Sequence, residues 1–140
     1  MLTQRLTHPQ ILEALAAAGH GSKVLLTDAN YPASTTLGDN AEQVYLNLAP
    51  GRPTVTETLE VILTAIPVES AAVMTPPSGP EPPVFSEFRA LLPRDIELEE
   101  LGRYEFYEAA SEPDVCLQII TGEQRIFANI LLTIGVVMPR

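Results

Sequence analysis

Apolar and polar positions along this chain follow two alternating spacings. Ile11, Leu15 and Ala18, with Leu12 beside them, share one face at helical spacing, which predicts a helix over residues 8–18. Pro9 suits the first helical position and Gly19 the residue just past the end. Val24-Leu25-Leu26 is a continuous apolar run, the pattern of a strand over 23–28 covered on both faces. Residues 29–41 read as a loop, with Pro32, Gly38 and the Ser34-Thr35-Thr36 cluster. Strict alternation follows. Val44, Leu46 and Leu48 face one way and Gln43, Tyr45 and Asn47 the other, which predicts a strand over 42–48.

Beyond the Ala49-Pro50-Gly51-Arg52 turn the two spacings continue. Val55, Leu59, Ile62 and Ile66 mark a helix from Pro53 or Thr54 to Ala65, with Thr54 and Glu57 in capping-box spacing and Pro67 as its stop. Residues 70–75 read as a buried strand, and 76–83 as a Pro/Gly-rich surface loop. A helix over 84–92 turns Phe85, Phe88 and Leu92 inward, and Ile96 and Leu98 alternate with glutamates in a strand over 95–101. A short helix over 104–111 carries Tyr104, Phe106 and Tyr107, and strands are expected at 115–121 and 129–137. About four helices and about six strands in alternation argue for an α/β layered fold with a largely parallel or mixed sheet. No internal repeat is visible.

Length and composition narrow the classes. The 140 residues fit a single domain, 1–140, able to fold without a metal or disulfide. A hydrophobic fraction of 46% with 19% charged residues is globular. The net charge of -10 repels phosphate backbones and anionic lipid, so neither nucleic acid nor a membrane surface is an expected partner. Cys116 stands alone, with no basic residue beside it to activate it, and reads as a structural thiol in a buried strand. No signal-peptide pattern and no long apolar span is present, so the expected compartment is the cytoplasm.

The unusual stretch runs from Gly19 to Ala33. His20 stands between two glycines at one end of the 23–28 strand, and Asp28 and Asn30 stand at the other. No dinucleotide loop, phosphate loop or serine elbow occurs, and the spacing of His8 and His20 suits no metal site. His20 fits either a helix C-terminus or a general acid/base titrating near neutrality. Asp28 fits either an Asx-turn or a ligand group at the carboxyl end of a strand. Arg103 fits a surface ion pair or a binding role, and Asn129 a turn or a hydroxyl-binding group. A strand of six residues separates His20 from Asp28 by roughly 20 Å. Either the glycine-rich turn folds back or a neighbouring subunit completes the site.

Several blocks resemble one family. Gly19-His20-Gly21 and Asp28-Ala29-Asn30-Tyr31-Pro32-Ala33 resemble the opening motif of the L-fucose mutarotase and D-ribose pyranase family. Arg103-Tyr104-Glu105-Phe106-Tyr107-Glu108, Thr121-Gly122-Glu123 and Phe127-Ala128-Asn129-Ile130-Leu131-Leu132 look like its fucose branch, in the same order over nearly the whole chain. The resemblance implies a three-layer α/β/α domain and an isomerase that interconverts anomers or ring forms of a free monosaccharide with no metal or cofactor. It implies His20 as proton donor, with Asp28 as its partner in catalysis and sugar binding, and Arg103, Phe127 and Asn129 as sugar-binding residues. It also implies homo-oligomers, often decamers, with sites between subunits.

Two positions depart from the family pattern. The family usually has tyrosine where this chain has Phe127, and Tyr31, Tyr104 and Tyr107 are the candidates to replace its hydroxyl. Asn47 to Pro53 lacks the Arg-Ala-Asp-Gly of the fucose branch and looks nearer the pyranase pattern. The leading expectation is an L-fucose-type mutarotase. The alternatives are a pyranase-like activity on another aldose, or a noncatalytic sugar-binding, transport-associated protein.

Overall fold

A computed structural model describes all 140 residues, Met1–Arg140. Four helices and six strands follow in the order α1 (Pro9–Ala17), β1 (Lys23–Thr27), β2 (Glu42–Tyr45), α2 (Val55–Ile62), β3 (Val68–Met74), α3 (Val84–Leu91), β4 (Leu98–Leu101), α4 (Arg103–Ala110), β5 (Val115–Ile120) and β6 (Ile130–Ile134). His8 caps α1, its Nδ1 accepting from Ile11 N–H, and Thr54 caps α2, its hydroxyl accepting from Glu57 N–H. Each cap satisfies a backbone donor that the first helical turn leaves free.

The strands form one sheet in the order β2-β5-β1-β6-β3-β4. β1, β2 and β5 run parallel, as do β3 and β4, while β6 runs antiparallel to both its neighbours, β1 and β3. Five strands therefore share a direction, and their carboxyl ends lie along one edge beside the start of β6. The sheet is buried on both faces. Val24, Leu26, Leu117, Ile119, Ile130 and Leu132 pack against α1, α2 and α3, with Ile11, Leu59, Ile62, Phe85 and Phe88 in the same cluster. Leu25, Ala72, Met74, Ile120 and Leu131 project to the other side, where Phe106 and Ala110 of α4 and Tyr31 and Ala33 of the loop after β1 cover them. Strand alternation thus splits one apolar run between two layers of helix, giving an α/β/α sandwich.

β5 contains a bulge at Cys116. Lys23 pairs with Val115 and Val24 with Leu117, so Cys116 is the additional residue. The bulge turns Val115 to the α4 face while Leu117 and Ile119 face the other helices. The Cys116 thiol donates to Lys23 O at 3.3 Å, and partial burial pushes its pKa up.

Two local expectations change. β2 stops at Tyr45, and Leu48 is 83% exposed rather than aligned with Val44. The chain has turned by then, with Leu48 N–H and Ala49 N–H both donating to Arg52 O. Ala14 is buried beside Ile11 on α1, whereas Leu15 only edges the core. Gly19 does follow the Ala18 C-cap of α1, and the left-handed residue of the Gly-His-Gly turn is Gly21, at φ +85°.

Candidate active site

The carboxyl edge of the sheet gathers four of the five candidate residues. Asp28 follows β1, Arg103 opens α4 directly after β4, and Phe127 and Asn129 end the β5–β6 connection. Because β6 runs backwards, its start falls at this edge, which is what brings Asn129 beside Asp28. With Asn30, Tyr31, Met74, Tyr107 and Ile126 they line a cavity of about 270 Å³.

Asp28 is 3% exposed and sits at the centre of a hydrogen-bond network. Its Oδ1 accepts from Asn30 N–H at 2.9 Å. Its Oδ2 accepts from Ala128 N–H and from Asn129 Nδ2, both at 3.2 Å. Asn129 Oδ1 in turn accepts from Asp28 N–H at 2.9 Å, so the two residues bind each other twice. A carboxylate offers about four acceptor positions, and these three donors leave one open on Oδ1. Burial pushes the Asp28 carboxyl above the ordinary range, and the donors from Asn30, Ala128 and Asn129, with the nearby Tyr31 N–H, only partly counter it.

Arg103 is exposed and enters none of the six ion pairs of the chain. Its guanidinium carbon lies 5.9 Å from the Phe127 ring centroid, a cation–π arrangement that leaves its N–H donors available. Phe127 has φ +57°, which for a side chain of this size stores of order 1–3 kcal/mol of backbone strain. Of the three tyrosines that could replace a hydroxyl at 127, Tyr104 is 80% exposed on the outside of α4. The Tyr31 hydroxyl is buried without a hydrogen-bond partner, and burial pushes its pKa up to about 12. Tyr107 lines the cavity, edge-on to the Tyr31 ring at 5.5 Å.

His20 is not among them. It lies before β1, at the opposite edge of the sheet, and the five residues of β1 alone span about 16 Å. The Gly19-His20-Gly21 turn does not fold back; Gly21 N–H is tied to Ile134 O at 2.9 Å. The imidazole is not held by the carbonyls of α1, which ends at Ala17. Its Nε2 instead meets both Glu69 carboxylate oxygens, at 3.1 and 3.0 Å, and the pair is half exposed. Sequence reasoning missed Glu69, because nothing local marks a contact between residues 49 apart. No cluster of three or more His, Cys, Asp or Glu side chains is placed to hold a metal ion. No helix is long and apolar enough to cross a membrane.

A carboxylate, a carboxamide and a guanidinium converging at the carboxyl ends of parallel strands, in a cavity of this size, make this edge the candidate binding site for a small polar molecule. Residues 1–137 match the RbsD / FucU transport protein family, and the chain belongs to it. It is 33% identical to human fucose mutarotase, over 94% of this chain and 90% of that one. It is equally 33% identical to D-ribose pyranase of Variovorax paradoxus, over 94% and 95% of the two chains. The fucose mutarotase of Streptococcus pneumoniae, solved in complex with L-fucose, superposes with a TM-score of 0.80 at 27% identity and covers 94% of each chain. These relatives are sugar isomerases, and the chain is an enzyme of that class.

Proposed function

We propose that residues 1–140 form one monosaccharide mutarotase domain that opens and recloses the hemiacetal of a free, L-fucose-like sugar in the cytoplasm. The observation that carries this reading is the Asp28–Asn129 pair, hydrogen-bonded in both directions and facing a sugar-sized cavity beside Arg103. Ring opening requires a proton delivered to the ring oxygen and another removed from the anomeric hydroxyl. Reclosure on the other face reverses both transfers. The open acceptor position on Asp28 takes a sugar hydroxyl, and the free donors of Arg103 and Asn129 grip others. His20, oriented by Glu69, supplies the proton to the ring oxygen, Asp28 takes the one from the anomeric hydroxyl, reclosure returns both, and each acid/base group contributes about 10²–10⁴-fold. No covalent intermediate and no cofactor is needed.

His20 and the Asp28 cavity lie at opposite edges of one chain, so this mechanism requires that a neighbouring copy bring its His20 to the cavity. The assembly is then a closed homo-oligomer, a ring or decamer, with every site shared between two chains. Exposed apolar side chains at both edges, Leu48 and Ile126 at one and Val136, Val137 and Met138 at the other, supply surface for such contacts.

Phe127 favours a second reading. A phenyl ring carries no hydroxyl to move a proton or hold a sugar oxygen, which suits a noncatalytic sugar-binding protein. NMR saturation transfer between anomeric protons separates the two, with L-fucose, D-ribose and other aldoses as substrates and His20→Ala as control. Faster exchange of one sugar, lost in His20→Ala, supports the mutarotase and names its substrate. Sugar binding with exchange no faster than in buffer overturns it in favour of binding alone.

A further inference from the structure

The loop that carries Phe127 and Asn129 is held by a residue outside the cavity. Glu123 is 3% exposed, an unusual setting for a carboxylate. Its Oε1 accepts from the Arg125 guanidinium at 2.7 Å and from Val55 N–H, at the start of α2, at 3.4 Å. Its Oε2 accepts from Arg125 N–H at 3.1 Å. Its backbone carbonyl accepts from Ala29 N–H at 2.9 Å, directly beside Asp28. The second arm of the Arg125 guanidinium reaches Glu87 on α3. Glu123 is therefore joined to both walls of the cavity, to Asp28 through Ala29 and to Phe127 through Arg125. It also anchors them to two helices of the opposite layer. Burial pushes its carboxyl up, but the Arg125 hydrogen bonds more than offset this and hold it below the ordinary value.

We infer that Glu123, acting through Arg125, is a positioning residue for the sugar site: the Glu123–Arg125–Glu87 clasp sets the distance between Asp28 and the Phe127–Asn129 wall. The strained backbone of Phe127 makes such a clasp necessary, since a residue at φ +57° relaxes unless its flanks are fixed. On one flank Ala128 N–H is bound to Asp28, and on the other Arg125 is bound to Glu123. Releasing Arg125 frees Phe127 to leave the left-handed region and carry its ring out of the cavity.

This inference rests on the sugar-site reading above. Its test measures KM, kcat and thermal midpoint for Glu123→Gln, Arg125→Met and Arg125→Lys. Leu59→Ala, a core variant remote from the cavity, serves as the control for general loosening. Glu123→Gln and Arg125→Met are expected to raise KM about tenfold, with a smaller fall in kcat, because displacements of an ångström cost about that much or more. Arg125→Lys, which keeps the charge, recovers part of the loss, and Leu59→Ala lowers the thermal midpoint without moving KM. Unchanged KM in Glu123→Gln and Arg125→Met overturns the inference. So does a matching rise of KM in Leu59→Ala. Should Glu123→Gln fail to fold, Arg125→Met decides, since that side chain is partly exposed. A wild-type protein that accelerates no sugar fails the mutarotase reading instead, and sugar dissociation constants of the same variants then test the clasp. A protein that binds no sugar overturns both.

Discussion

The Arg103 guanidinium lies over the ring of Phe127, 5.9 Å from its centroid. The two residues come from different connections, the turn into α4 and the strained end of the loop before β6. Their contact leaves the Arg103 donors directed by an aromatic face rather than by a carboxylate. Replacing Phe127 with tyrosine keeps that face and adds a hydroxyl at the cavity wall. Phe127→Tyr is expected to raise anomeric exchange without changing the thermal midpoint by more than a few degrees. Saturation transfer and thermal unfolding measure the two quantities, and slower exchange in the variant counts against a catalytic hydroxyl there.

Complementation reads out a shared site. His20→Ala and Asp28→Asn are each expected to lose exchange when assembled alone. When the two chains are unfolded together and reassembled in equal amounts, about one site in four combines an intact imidazole with an intact cavity. About a quarter of wild-type activity should return. No recovery, with mixed oligomers verified by native mass spectrometry, excludes an imidazole supplied by a neighbour.

Glu69 should act on rate rather than on affinity. It touches His20 and nothing in the cavity, so Glu69→Ala releases the imidazole while leaving the Asp28 network intact. The expected result is a fall in kcat of about tenfold or more with KM nearly unchanged, because an acid/base group works only when held in reach of its proton. A rise in KM with kcat preserved would instead place Glu69 in contact with the sugar.

Acid should weaken sugar binding before it weakens the fold. Burial raises the Asp28 pKa, so Asp28 takes up its proton at a higher pH than an exposed aspartate does. Once protonated, it loses acceptor capacity for the sugar and for its own backbone donors. For stability the sign is opposite. A raised carboxyl pKa contributes stability below the unfolded value and loses it as pH rises through the folded value. On lowering pH, sugar affinity is expected to fall with a midpoint above that of an ordinary aspartate, while the Asp28 contribution to stability grows. Titration calorimetry and thermal unfolding across the same pH series test this; an affinity that stays flat down to the ordinary aspartate range excludes Asp28 as the acceptor.

Gly122 has no room for a side chain. A Cβ there would lie 2.4 Å from Ala49 O and 2.5 Å from Arg52 O, both backbone atoms. Gly122→Ala is expected to destabilise by about 1–3 kcal/mol and to shift the 49–52 turn. Denaturant unfolding gives the first quantity, and an unchanged midpoint would show that the turn moves aside at no cost.

The element order was readable from the chain because each element carries its own period. α2 shows it well: Val55, Leu59 and Ile62 sit at helical spacing behind a Thr54 cap, and all three are buried. Asp28, Arg103 and Asn129 could be picked out as candidates, as polar residues beside predicted strand ends, and Phe127 only as a position of a family motif; the structure brings these four together. Long-range relations were not readable. The reversal of β6 leaves no trace in its own apolar run, since a buried strand looks the same in either direction. The bulge at Cys116 is a property of two strands paired together, and Glu69 finds His20 only after the sheet has formed. β2 was overextended because Leu46 and Leu48 keep alternating after their strand partner has ended; β5 stops at Ile120, so the pattern outlives the ladder that would use it.

The backward course of β6 has a consequence for chain length. Most connections in this fold cross from one edge of the sheet to the other and have slack; the proline-rich segment 76–83 is largely exposed. The β5–β6 connection turns around at a single edge. Within it, Thr121 is tied to Thr27, Gly122 to Gly51, Glu123 to Ala29, and Ala128 and Asn129 to Asp28. An inserted or deleted residue between 121 and 129 shifts every later tie out of step, so this segment does not tolerate a change in count. Among relatives of this chain, gaps and insertions should gather around 76–83 and leave 121–129 at constant length.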